Sequence, residues 1–83
     1  MNPYIDDGQL RTFAADTSPE SLVWHRDRED RVVTILEGNG WGFQYDDALP
    51  FSLAPGDRLT IPKESYHRLL KGYGELKISI QRL

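Results

Sequence analysis

At 83 residues without a cysteine, the chain has room for one core, and it excludes disulfide stapling, thiolate metal ligands and a cysteine nucleophile. Ten basic and 13 acidic residues are interspersed to a formal net charge of -3, which supplies no field for a polyanion, so no nucleic-acid partner is expected. The start Met-Asn-Pro-Tyr-Ile-Asp-Asp-Gly lacks the basic residues and apolar run of a secretory signal, and no stretch approaches membrane-spanning length; the expectation is a single domain over residues 1–83, cytoplasmic and with no membrane partner. Because so short a chain buries a small share of its surface, a homodimer is the expected way to complete the core.

Apolar residues recur with period two in short runs broken by Gly, Pro and Asp, a pattern of strands and turns. Gln9 to Ala15 reads as a first strand. Thr17-Ser18-Pro19-Glu20 then offers a turn or a single helical turn, and Ser21 to His25 is a second strand candidate. Arg31 to Glu37 is rich in β-branched residues and closes on Gly38-Asn39-Gly40, which reads as a hairpin turn. Beyond it, Trp41, Phe43 and Tyr45 alternate with Gly42 and Gln44, giving one aromatic face that suits a core, a dimer interface or a pocket wall. Phe51 to Leu53 is a short strand. Ala54-Pro55-Gly56-Asp57 is a strong turn, and Arg58 to Ile61 resumes the alternation until Pro62. Tyr66 to Leu70 and Glu75 to Gln81 supply two further strands around Lys71-Gly72-Tyr73-Gly74. Many short, evenly spaced strands imply an all-β sandwich or barrel.

The candidate chemistry lies in His25-Arg26-Asp27-Arg28-Glu29-Asp30-Arg31 and around His67. In an extended chain His25, Asp27, Glu29 and Arg31 share one face, which runs on into Val33 and Ile35. The plain alternative is a solvated loop whose opposite charges make weak surface pairs. By alternation His67 shares a face with Leu69, a setting in which a histidine is commonly a hydrogen-bonded core residue.

These segments resemble the cupin superfamily. Its first motif runs from a His-x-His pair through a glutamate to a strand ending in a Gly turn; here it is approximated over about residues 24–38 by His25-x-Asp27, Arg31 and Ile35-Leu36-Glu37-Gly38. Its second motif is matched over about 56–67 by Gly56-Asp57-Arg58-Leu59-Thr60-Ile61-Pro62, then Glu64 and His67. The resemblance covers about Ser21 to Leu83 and implies a small double-stranded β-helix, the cupin or jelly-roll barrel.

Cupin metal sites resemble three histidines and a glutamate, so the motif here is degenerate: Asp27 stands at the second histidine and Arg31 at the glutamate. The resemblance implies a metal set of His25, Asp27 and His67, a two-histidine, one-carboxylate group suited to Fe, Zn or Mn. Arg31 opposes it, because a guanidinium in the site repels a divalent cation and pairs with Asp27 or Glu29. A one-residue bulge presenting Asp30 instead is an alternative. Arg31 is equally a clamp for a carboxylate or phosphate, and with Tyr66 it forms the expected ligand-binding set. Two functions therefore stay open: a small-molecule-binding protein that is metal-free or weakly metal-binding, and a metal-dependent small-molecule enzyme of dioxygenase or isomerase type.

Overall fold

A computed structural model describes residues 4–83; the Met-Asn-Pro start, read above for a secretory signal, lies outside the described residues. The regular elements are β1 (Tyr4–Asp7), β2 (Leu10–Phe13), a 3-10 turn (Pro19–Ser21), β3 (Arg31–Asn39), β4 (Gly42–Tyr45), β5 (Phe51–Ser52), β6 (Arg58–Ile61), β7 (His67–Leu70) and β8 (Tyr73–Arg82). Every ladder is antiparallel. Five strands form one sheet in the order β1-β2-β8-β3-β6, and three form a second in the order β5-β4-β7. No helix among the described residues is long and apolar enough to cross a membrane.

Alternation makes the core. On β3, Val33 and Ile35 point inward, and the register sets them opposite Ile80 and Ile78 of β8. Such directly opposed β-branched pairs are the unit of sheet stabilisation. The smaller sheet contributes Phe43, which lies opposite the half-buried Leu69 of β7. Leu53 and Ile61 pack into the same cluster. Trp41 is fully enclosed, with its indole N–H directed at the Gly74 carbonyl at 3.3 Å. The aromatic face read from residues 41–45 is thus mainly core, Tyr45 being half-buried with its hydroxyl on the Thr60 carbonyl at 2.7 Å.

Two expectations about local structure are corrected. Gly38-Asn39-Gly40 is not a hairpin turn, because β3 ladders with β8 and β6 while β4 ladders with β5 and β7. The segment instead carries the chain from one sheet to the other. Register shifts at Ile35/Glu37 and Glu37/Asn39 mark bulges that bend the end of β3, and Gly40 takes a φ of 72° that suits glycine. Gly72 lets the strands meet at this corner, since a Cβ there would stand 2.3 Å from the Trp41 nitrogen.

Ser21 to His25 is not a strand. The Ser21 N–H and hydroxyl both bond the Ser18 carbonyl, at 3.0 and 2.6 Å, and this local turn competes with a ladder. Of that segment only His25 pairs, as an isolated bridge to His67. The strand read at Gln9 to Ala15 forms as β2, and β1, which the sequence analysis did not propose, precedes it in a hairpin around Gly8, whose φ is 63°. By contrast, the turn at Ala54–Asp57 forms as expected, with the Asp57 carboxylate accepting the Ala54 N–H at 2.8 Å. It lies on β3 through Gly56 N–H to Ile35 O at 2.8 Å and Ile35 N–H to Asp57 O at 2.9 Å.

Candidate functional site

Two backbone hydrogen bonds bring the two histidines together, His25 N–H to His67 O at 3.0 Å and His67 N–H to His25 O at 2.9 Å. Their imidazoles meet edge to face with centroids 4.3 Å apart, and the His67 ring is stacked on Phe43 at 5.6 Å. The turn after Pro62 positions the third member. The Glu64 N–H bonds the Asp27 carbonyl at 2.7 Å, and the Lys63 N–H bonds the Asp30 carboxylate at 2.8 Å. Asp30 therefore serves this turn and does not take the place of Arg31. Residues 26–30 form no strand, and the predicted face is met in part: His25, Asp27 and Arg31 line one cavity, while Glu29 is not among its lining residues.

The hydrogen bonds fix the histidine tautomers. The His67 Nδ1 lies 2.8 Å from the Ser65 carbonyl, and the His25 Nδ1 lies 3.1 Å from the Val23 carbonyl. A carbonyl only accepts, so each Nδ1 carries the proton and each neutral ring keeps a bare lone pair on Nε2. Burial holds the His67 imidazole below the usual histidine value; the Ser65 carbonyl and Asp27 oppose that shift, while His25 and Arg31 reinforce it.

The Asp27 side chain is 8% exposed and its Oδ2 lies 3.5 Å from the His67 Nε2. That oxygen is buried without a hydrogen-bond partner among the described residues. One ligand atom from each of His25, Asp27 and His67 falls within 4.8 Å of the other two. The group is thus made of acceptors with no donor between them, and an unpaired buried acceptor is costly unless a cation or an N–H or O–H fills the gap. Backbone carbonyls on the far nitrogens are the outer contacts that orient metal-ligating histidines.

Arg31 points into the cavity, as one of the two readings requires. Its Nη1 lies 3.2 Å from the Asp27 Oδ1, while Nη2 and Nε lie 2.7 and 2.8 Å from the Glu29 Oε1. The tighter contacts go to Glu29, and the guanidinium faces two carboxylates. The half-exposed Arg82 reaches the same Glu29 oxygen at 3.8 Å from the solvent side. Arg31 engages only one oxygen of Asp27 and leaves the other turned toward His67.

The cavity occupies about 280 Å³ between the sheets, and much of its lining is apolar, including Val33, Ile35, Phe43, Leu59, Ile61, Leu69, Ile78 and Ile80. Tyr66 is not among its lining residues. The strand start that turns His67 inward leaves Tyr66 exposed, with the Arg26 guanidinium 5.3 Å from its ring. Arg11 of β2, which the sequence analysis did not single out, does line the cavity. The signal was available: in Leu10-Arg11-Thr12-Phe13, taking Phe13 as core places Arg11 on the same face.

No protein-family model and no curated protein matches the chain. Among solved structures it is similar to a cupin-2 domain protein from Shewanella frigidimarina NCIMB 400, with 25% identity over all of this chain and 74% of that one at a TM-score of 0.62. It is also similar to a cupin superfamily protein from Desulfitobacterium hafniense DCB-2, with 23% identity over 95% of this chain and 72% of that one at a TM-score of 0.69. HppE, solved with Fe(II), matches at 13% identity and a TM-score of 0.71; the match covers 89% of this chain but 40% of HppE. HppE has also been solved with Co(II) and substrate.

Proposed function

We propose that this protein, which has the cupin fold, binds a divalent metal through His25, Asp27 and His67 and holds a small molecule in the adjoining pocket. The observation that carries this reading is the convergence of three acceptors without a donor, one of them a buried, unpaired carboxylate oxygen. Two imidazoles and a carboxylate fit Fe(II), Zn or Mn and leave coordination positions open. When bound, such a metal supplies a Lewis acid for a carbonyl, carboxylate or water oxygen.

The chain's own residues prepare that place. The Ser65 and Val23 carbonyls keep the Nδ1 protons and so aim both Nε2 lone pairs; Phe43 fixes the plane of His67; Arg31 holds the Asp27 Oδ1 so that Oδ2 faces the histidines. The aliphatic wall lies beside Asp27 and His67, which are buried, and a low-dielectric setting strengthens their contacts. HppE, a neighbour in fold, was solved with Fe(II) and with Co(II), which supports the same chemistry here.

The Arg31–Asp27 contact favours a second reading, a metal-free pocket in which a ligand N–H or a water fills the acceptor set. Metal analysis of protein prepared without a histidine tag separates the two. A stoichiometric transition metal, lost in both His25→Ala and His67→Ala, is the expected result. Metal-free protein whose melting temperature does not respond to Zn, Mn or anaerobic Fe(II) overturns it in favour of the second reading.

A further inference from the structure

The polar groups that line the cavity are unevenly engaged. Arg11 holds its guanidinium carbon 3.8 Å from the centroid of the Tyr4 ring, and the β1 register sets Asp6 opposite it. Ser21 gives its hydroxyl proton to the Ser18 carbonyl at 2.6 Å. Arg31 divides its donors between Asp27 and Glu29. His25, Asp27 and His67 differ from these: each keeps an acceptor atom within 4.8 Å of the other two, and the Asp27 Oδ2 is buried without a hydrogen-bond partner among the described residues.

Three atoms no more than 4.8 Å apart share a point that lies at most about 2.8 Å from each, a length that suits a hydrogen bond from an N–H. A protonated primary amine carries three N–H donors and no acceptor, so one nitrogen near that point answers all three atoms at once. Charge agrees with this count. Asp27 and Glu29 set two negative charges against the buried guanidinium of Arg31, and Arg82 approaches Glu29 at 3.8 Å from the solvent side. Behind this ionisable pole the lining turns apolar. Leu69 is the next inward residue after His67 on β7, Val33 is the next after Arg31 on β3, and Ile80 lies opposite Val33. The 280 Å³ of the cavity is comparable to roughly nine water molecules in the liquid.

Resting on the reading of this cavity as a ligand pocket, but not on its metal, we infer that the metal-free site binds the ammonium end of an aliphatic primary amine of on the order of nine non-hydrogen atoms, and that amine and metal exclude one another. The three N–H groups donate to His25 Nε2, Asp27 Oδ2 and His67 Nε2, and the hydrocarbon chain lies along Leu69, Val33 and Ile80. A metal bonded to the same residues at about 2.0–2.2 Å fills the same space. At pH 7 such an amine is protonated and has no lone pair to offer a metal, so the two do not share the site. A carboxylate meets only acceptors at this pole, and a hydroxyl supplies one donor where three are received.

Octylammonium, octan-1-ol and octanoate, close in size and differing in head group, are the probes. Their affinities are measured by titration calorimetry at pH 7 in EDTA, so that no metal contributes, on the wild type, Asp27→Asn and His25→Ala. Octylammonium is expected to bind the wild type about tenfold tighter than octan-1-ol, the ratio that one charge-assisted hydrogen bond supplies, and octanoate should bind more weakly than either. Ethylammonium, shorter by six CH₂ groups, should bind at least about a hundredfold more weakly than octylammonium. Asp27→Asn should bring octylammonium down to the affinity of the alcohol, whereas His25→Ala should keep part of the preference; octan-1-ol bound as in the wild type verifies the pocket in each variant. Without EDTA, octylammonium at a hundredfold over its Kd should weaken Zn binding to the wild type about a hundredfold. Equal affinity for amine and alcohol, octanoate bound as tightly as octylammonium, a preference that survives Asp27→Asn, no saturable octylammonium binding, or a Zn affinity that octylammonium leaves unchanged overturns the assignment. An amine preference in EDTA in a protein that binds no metal keeps the assignment and removes the metal reading alone.

Discussion

Val33, Ile35, Ile78 and Ile80 stand on continuous ladders between β3 and β8, whereas His25, Asp27 and His67 stand on one isolated bridge and the turn after Pro62. The first region is held by many small, non-directional contacts, and its geometry follows from strand register. The second is held by a few directional hydrogen bonds, and one of its charged oxygens has no hydrogen-bond partner among the described residues. Stability is therefore concentrated in the ladders, and the unpaired buried oxygen of the ionisable pole detracts from it.

Substitutions in each region break this contrast in different ways. The largest effect is expected for Trp41→Ala, which empties the most enclosed position and should cost about 3–5 kcal/mol in urea denaturation. A loss below about 1 kcal/mol would mean that the corner between the sheets is not part of the core. Next comes Asp27→Asn. In EDTA it should change stability by less than about 1 kcal/mol, since Arg31 keeps Glu29 and the Oδ2 loses no hydrogen bond. With Zn at a hundredfold over its Kd, the wild type should gain about 2.7 kcal/mol and the variant nothing, as read by thermal denaturation.

The pH dependence of the metal-free protein sharpens the same contrast. Burial lowers the His67 pKa in the folded state, so the unfolded chain binds the proton more readily. The folded state's stability is then fully present above the ordinary histidine range of about 6.5 and declines as the pH falls below it, through the lowered folded-state value. His67→Gln should flatten that decline in denaturant titrations at stepped pH; an unaltered slope would place its origin elsewhere. Smallest is Glu64→Gly. Glu64 has a φ of 63°, and glycine removes the strain of that conformation, for a gain of up to about 1 kcal/mol. Metal affinity should not change, because the backbone N–H that holds Asp27 is retained.

Much of this was legible in the sequence for a physical reason. Side-chain direction follows a period of two wherever the chain is extended, so His25, Asp27 and Arg31 could be assigned to one face, and His67 to the face of Leu69, before any partner strand was known. Partner choice was not legible. The residues Gly38-Asn39-Gly40 signal only that the backbone turns, while the bulges of β3 and its continued ladder with β8 decide that the turn joins two sheets. Ser21 to His25 misled for a similar reason, since the Ser18–Ser21 turn captures donors that a strand would need. Arg11 was overlooked because a charged residue in a short strand reads as solvated, although the alternation that marks Phe13 marks it too.

The paired amides of His25 and His67 have a kinetic consequence. Segment 22–30 is fastened to the rest of the molecule by that bridge, by the contacts of Lys63 and Glu64, and by Leu83 N–H to Asp30 O at 2.9 Å. Releasing these bonds leaves both sheets whole, so this segment can detach without global unfolding. Amide exchange at His25 should accordingly be much faster than at Ile35 or Ile80, and its opening rate sets the upper limit on how quickly a ligand can enter past residues 22–30.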